Sequence, residues 1–144
     1  MIWGNGGCSA DGAGQKNFLM EIASWGFLVI ASGSPGGSGS TTAALMRSAV
    51  DFVTNNAGKG NYAAVDASRL AVAGWSCGGL EAYELRDDSR VDTLGIFSSG
   101  QFNENDSRNV APNIKVPIFY FLGGSSDIAY ANVRPSCDGR QLLN

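Results

Sequence analysis

The chain reads as an α/β protein: an open, mostly parallel sheet of about five strands with helices on both faces. Short apolar runs rich in β-branched and aromatic residues alternate with segments of helical periodicity, the order that produces parallel strands joined by right-handed crossovers. The runs are apolar throughout rather than every second residue, as in strands buried on both faces. At 144 residues the chain has the length of one compact domain, and no repeat or linker divides it, so a single domain over 1–144 is expected.

The elements follow in order. Met1-Ile2-Trp3 is apolar and runs straight into a glycine turn, so it reads as the last residues of a strand whose start is cut. Asn17 to Trp25 places Phe18, Ile22 and Trp25 at helical spacing. Phe27 to Ala31 is the next strand, followed by a Gly/Ser-rich loop from Ser32 to Ser40 at its carboxyl end, where open sheets place ligands. Thr41 to Asn55 is a helix carrying Leu45, Ala49, Phe52 and Val53, with Ser40 or Thr41 as its cap. Leu70 to Ala73 is a strand, Leu80 to Leu85 a shorter helix after Gly78-Gly79, and Thr93 to Phe97 and Ile118 to Leu122 are the last two strands.

Composition narrows the function. Hydrophobic residues make up 44% and charged residues only 16% of the chain. A net charge of −3, with ten Lys and Arg scattered from Lys16 to Arg140, offers no basic stripe to neutralise phosphates, which argues against nucleic acid. No apolar run approaches the ~20 residues of a membrane-spanning helix, and the first residues lack the pattern of a signal peptide. Cys8, Cys77 and Cys137 fit no C-x-x-C spacing and there is no histidine, so neither a metal nor another cofactor is expected. The three cysteines leave open one bridge plus a free thiol or three reduced thiols. One glycosylation sequon, Asn105-Asp106-Ser107, points weakly to a secretory origin.

Gly74-Trp75-Ser76-Cys77-Gly78 carries the strongest chemical signal. This G-x-S-x-G follows the apolar strand Leu70-Ala71-Val72-Ala73 and precedes a helical segment, the setting of a nucleophile elbow. Such a turn needs glycine two positions either side of the serine, because the backbones approach too closely for a Cβ. An ordinary strand-to-helix turn with a capping serine is the competing reading. Two nucleotide readings fail: Gly4-x-Gly6 has Ser9 where a dinucleotide fingerprint has its third glycine, and Gly33 to Thr41 lacks the lysine and spacing of a phosphate loop.

Through Val65 to Gly79, with Gly4-Asn5-Gly6-Gly7-Cys8 near the start and Phe121-Leu122-Gly123-Gly124-Ser125-Ser126-Asp127 near the end, the sequence resembles the α/β-hydrolase superfamily. It is most similar to the secreted fungal esterase-like and dienelactone-hydrolase-like members. The resemblance implies a partial hydrolase fold acting on a small-molecule ester or acyl substrate. Ser76 would be the nucleophile, Asp127 the triad acid, and the N–H groups of Gly6, Gly7 and Cys77 the oxyanion hole. Trp75 and Tyr130 would wall an acyl or aromatic pocket. If the mapping holds, Cys8 and Cys77 converge on one small site and form a disulfide, leaving Cys137 unpaired. It implies secreted relatives, although this chain bears no signal peptide.

The family's general base is a histidine beyond the last strand, and none exists here. Serine is a weak nucleophile until a base takes its proton. Lys16, Lys59 and Lys115 fall in expected loops or helix starts, and the stretch from Arg134 to Arg140 does not resemble the family. The chain therefore reads as a fragment, an aberrant gene product or a degenerate paralogue: an impaired ester hydrolase, or alternatively a non-catalytic small-molecule-binding protein retaining the cleft. Self-association through exposed sheet edges, Phe27 to Ala31 and Ile118 to Leu122, is a further expectation.

Overall fold

The computed structural model describes residues 1–127 and residue 130; Cys137 and the stretch 134–140 lie outside the described residues. Five strands form one sheet: β1 (Ile2–Gly4), β2 (Ile30–Ala31), β3 (Ala71–Trp75), β4 (Thr93–Phe97) and β5 (Ile118–Phe121). Their order is β2-β1-β3-β4-β5 and every neighbouring pair is parallel. The helices are α1 (Lys16–Ser24), α2 (Ala43–Asn56), α3 (Cys77–Tyr83) and α4 (Glu104–Val110). The two outer strands are the runs expected at the edges.

Side chains alternate across each strand, so the sheet presents two different faces. Ile2, Val72, Leu94 and Ile96 point into one core, where Met46, Val50 and Val53 of α2 meet Tyr83 of α3 and Leu85 just beyond it. Met46 and Val50 are fully buried, each contributing about 1.5–3 kcal/mol relative to exposure. Trp3 and Ala73 point to the other face and pack with Leu19 of α1. Helices thus lie on both sides of the sheet, as α1 lies opposite α2 and α3. The arrangement is α/β-hydrolase-like.

Four details differ from the sequence reading. Only Ile30 and Ala31 of the run 27–31 join the sheet, paired with Ile2 and Trp3, and Phe27 is left 60% exposed. Helix α3 begins at Cys77, three residues before the expected Leu80. Helix α4 was not expected, since its sequence Glu-Asn-Asp-Ser-Arg-Asn-Val has no apolar stripe; it is started instead by Asn103, whose side chain accepts from the Asp106 N–H. Thr42, rather than Ser40 or Thr41, occupies the cap position of α2, and its side chain makes no capping bond.

Candidate active site

The turn from β3 into α3 is set by three glycines. Gly4 and Gly74 are register partners on neighbouring strands, and Gly78, in the first turn of α3, lies across both. A Cβ on Gly78 would stand 2.1 Å from the Gly4 carbonyl carbon and oxygen, and one on Gly74 would stand 2.1 Å from the Gly78 oxygen. No side chain fits there. The backbones can touch only because all three residues lack one, which brings the loop after β1 directly beside Ser76.

Ser76 joins β3 to α3 with φ 52° and ψ −121°, a conformation that L-residues adopt only where the surroundings enforce it. The enforcement is visible. The Ser76 N–H donates to the Phe97 carbonyl at 2.9 Å, and its carbonyl accepts from the Gly79 N–H at 2.9 Å and the Ser99 hydroxyl at 2.7 Å. Ser99 is buried, and the Ser98 N–H donates to the Phe121 carbonyl at 2.8 Å. The carboxyl ends of β3, β4 and β5 are thereby stitched together. Ser98 itself has φ 40°.

The loop after β1 forms a 3₁₀ turn over Gly6–Cys8. A disulfide links Cys8 to Cys77 with the Cα atoms 5.1 Å apart, well inside bridging range. It ties that loop to the first residue of α3. Asn5 is buried and its amide donates to the carbonyls of Ser9 (2.8 Å) and Ser32 (2.7 Å), and the Thr41 N–H donates to the Cys8 carbonyl at 2.7 Å. Among the described residues, the N–H groups of Gly6, Gly7 and Cys77 have no acceptor outside their own short helices.

A buried carboxyl lies behind the bridge. Glu81 of α3 is only 7% exposed, one helical turn after Cys77, and burial pushes its pKa above the usual carboxyl range against the opposing effect of its Thr41 hydrogen bond. The Thr41 hydroxyl oxygen lies 2.8 Å from Glu81 Oε1 and 3.1 Å from the Cys8 carbonyl oxygen. One hydroxyl proton cannot serve two acceptors. The Thr41 hydroxyl therefore donates to the Glu81 carboxyl or to the Cys8 carbonyl at any one time.

Two cavities flank Ser76. A pocket of about 200 Å³ is lined by Ser76, Cys77, Leu80, Ser98, Ser99, Gly100 and Phe102. An open groove of about 350 Å³ lies on the α1 face against Trp75, Phe97 and Phe121, and Ser98 borders both. Trp75 thus walls a cavity, whereas Tyr130 lines neither. Asp127 stands beyond β5 with its side chain against Gly123, at the same end of the sheet as Ser76 but with β4 between their strands.

No protein-family model matches the chain, and no curated protein matches it significantly. The hydrolase likeness therefore stands on sheet order and flanking helices. Ser98, Ser99 and Glu81 were not singled out in the sequence, and Thr41 was considered only as a helix cap. The pair Ser98-Ser99 was within reach, because it directly follows an apolar strand at the carboxyl end of the sheet, where open α/β folds place their sites.

Proposed function

We propose that the chain carries the serine half of an ester or acyl hydrolase site and, having no histidine, turns over slowly. Ser76 Oγ attacks the acyl carbon, Asp127 is the triad acid, and the N–H groups of Cys77 and of Gly6 or Gly7 receive the developing oxyanion. The observation that supports this most is the backbone of Ser76, held at φ 52° and ψ −121° between a strand and a helix. Strain of this kind persists where it serves a site, here by lifting a hydroxyl clear of the sheet. The unclaimed N–H groups on either side of the Cys8–Cys77 bridge support the oxyanion assignment.

The missing base sets the rate. Attack forms the Oγ–C bond and must discharge the hydroxyl proton, and a carboxylate of ordinary pKa is poorly matched to that task. Loss of one triad member can cost on the order of 10⁶ in turnover, with residual catalysis from the oxyanion donors. With p-nitrophenyl acetate we expect a small rate above buffer, lost in Ser76→Ala, and an increase with added imidazole beyond what Ser76→Ala shows. Equal rates for both proteins with and without imidazole would refute the assignment. Turnover of plain alkyl esters at tens per second would instead refute the need for histidine.

The absence of histidine favours a second reading, a non-catalytic binding protein that keeps the cleft. Saturable ligand binding at the cavities beside Ser76, with no Ser76-dependent turnover even in imidazole, would select it.

A further inference from the structure

We infer that the groove on the α1 face is a subsite for a flat aromatic ring, so that the preferred ligand is a small ester bearing one aryl group. Register builds the groove. Trp75, Phe97 and Phe121 are partners across β3, β4 and β5 and form a row at the carboxyl end of the sheet. One row back stand the small partners Ala73 and Gly95 and then the large Phe119, and the ring of Phe97 folds down over Gly95, where a Cβ would stand 3.3 Å from Phe97 Cε2. Small residues thus stand behind Trp75 and Phe97, and a large one behind Phe121.

Five of its lining side chains are aromatic: Trp3, Phe18, Trp75, Phe97 and Phe121. Phe97 stacks on Phe121 with centroids 4.1 Å apart and planes 8° from parallel. Trp3 and Phe18 close the α1 side, with Trp3 5.2 Å and Phe18 5.6 Å from Phe97. Trp75, at 43%, and Phe121, at 50%, remain exposed. A parallel stack ending in an open face offers a further ring the offset-stacked geometry that aromatic pairs favour, and the tilted Trp3 and Phe18 meet its edge. A dry apolar cavity of about 150 Å³ suffices for benzene in other proteins, so the groove's volume of about 350 Å³ holds a substituted ring.

Position gives the groove its chemistry. Trp75 immediately precedes Ser76, and Ser98 borders both the groove and the pocket containing Ser76. A ligand carbonyl at Ser76 can therefore place an aryl group in the groove and its smaller portion in the pocket of about 200 Å³. Gln15, at the groove's margin, accepts from Trp3 Nε1 at 3.5 Å, leaving its amide N–H groups to face a ring substituent with an acceptor oxygen. The placement of the ester rests on the proposed hydrolase reading; the aryl contact does not.

The test separates the two by measuring binding with amides, which outlast the assay. N-methylbenzamide and N-methylcyclohexanecarboxamide are titrated into the full chain and followed by ¹H NMR line broadening and tryptophan fluorescence. The aryl amide is expected to bind more tightly, and Phe121→Leu to weaken it roughly three- to tenfold, the range of one aromatic pair, while leaving the cyclohexyl amide little changed. Trp75→Leu supplies a second variant should Phe121→Leu fold poorly. Equal affinity for the two amides, or aryl binding indifferent to both substitutions, would overturn the inference. Selective aryl binding without any Ser76-dependent ester turnover would sustain the subsite and remove the hydrolase reading.

Discussion

Replacing both bridged cysteines, Cys8→Ser with Cys77→Ser, is expected to lower stability by about 4 kcal/mol. The bridge spans a sequence separation of 69, and the chain-entropy relation for a closed loop of that size gives this value at 25 °C. The cost arises in the unfolded state. In the folded protein the loop keeps its other anchors, the Asn5 amide on the Ser9 and Ser32 carbonyls and the Thr41 N–H on the Cys8 carbonyl, so the far-ultraviolet spectrum should not change. Unfolding entropy of ~2.1 cal/mol/K per residue over 144 residues converts the loss to a fall in Tm of roughly 10–15 °C. Urea unfolding of the oxidised protein and the double variant measures it, and alkylation of the denatured, unreduced protein should label one of the three cysteines, Cys137. A difference below about 1 kcal/mol, or three labelled cysteines, would refute the reasoning.

Other perturbations probe the packing around the same turn. Gly78→Ala places a methyl 2.1 Å from the Gly4 backbone, where no side chain can yield; the loss should reach or exceed the ~1–3 kcal/mol of ordinary overpacking, and a urea midpoint within error of wild type would contradict the close contact. Glu81→Gln mimics the neutral acid. Because burial raises the folded-state pKa of Glu81, the native carboxyl stabilises the fold fully only below its unfolded pKa, and that contribution disappears as pH rises through the folded value. Glu81→Gln should therefore be the more stable protein at pH 7, with its advantage fading as pH falls toward 4; a difference independent of pH would show that folding does not raise the pKa of Glu81.

Much of this was legible in the sequence because buried parallel strands write themselves as continuous apolar runs, and β3, β4 and β5 lie where those runs do. The Cys8–Cys77 pairing followed from mapping two loops onto one site, and the structure bears it out. Helix α3 was harder to read. By propensity Gly78-Gly79 delays a helix, yet here the first glycine is required by contact with Gly4, and a Cβ on the second would stand 2.5 Å from that of Ser99. Tertiary contact decides where propensity speaks against. Residues 27–29 read as strand from composition, but the ladder begins only where β1 supplies partners. Glu81 gave no signal, since a glutamate in an amphipathic helix looks like solvent-facing charge until its neighbours are known. The row Trp75, Phe97 and Phe121 is invisible to a linear reading, as it exists only through the register of three strands far apart in sequence.

The strand order also fixes a sequence of events in time. Of the five strands β1 comes first along the chain, yet it lies between β2 and β3, with Ile2 opposite Ile30 on one side and opposite Val72 on the other. A growing chain can give it the first partner early, but the second does not exist until α2 and the loop after it have also been made. Through that interval Trp3 cannot meet Phe97, and Cys8 has no Cys77 to pair with. β1 thus emerges before both of its partners but is enclosed only once β3 has arrived, and the loop behind it takes its final shape only when the turn at Ser76 comes to hold it.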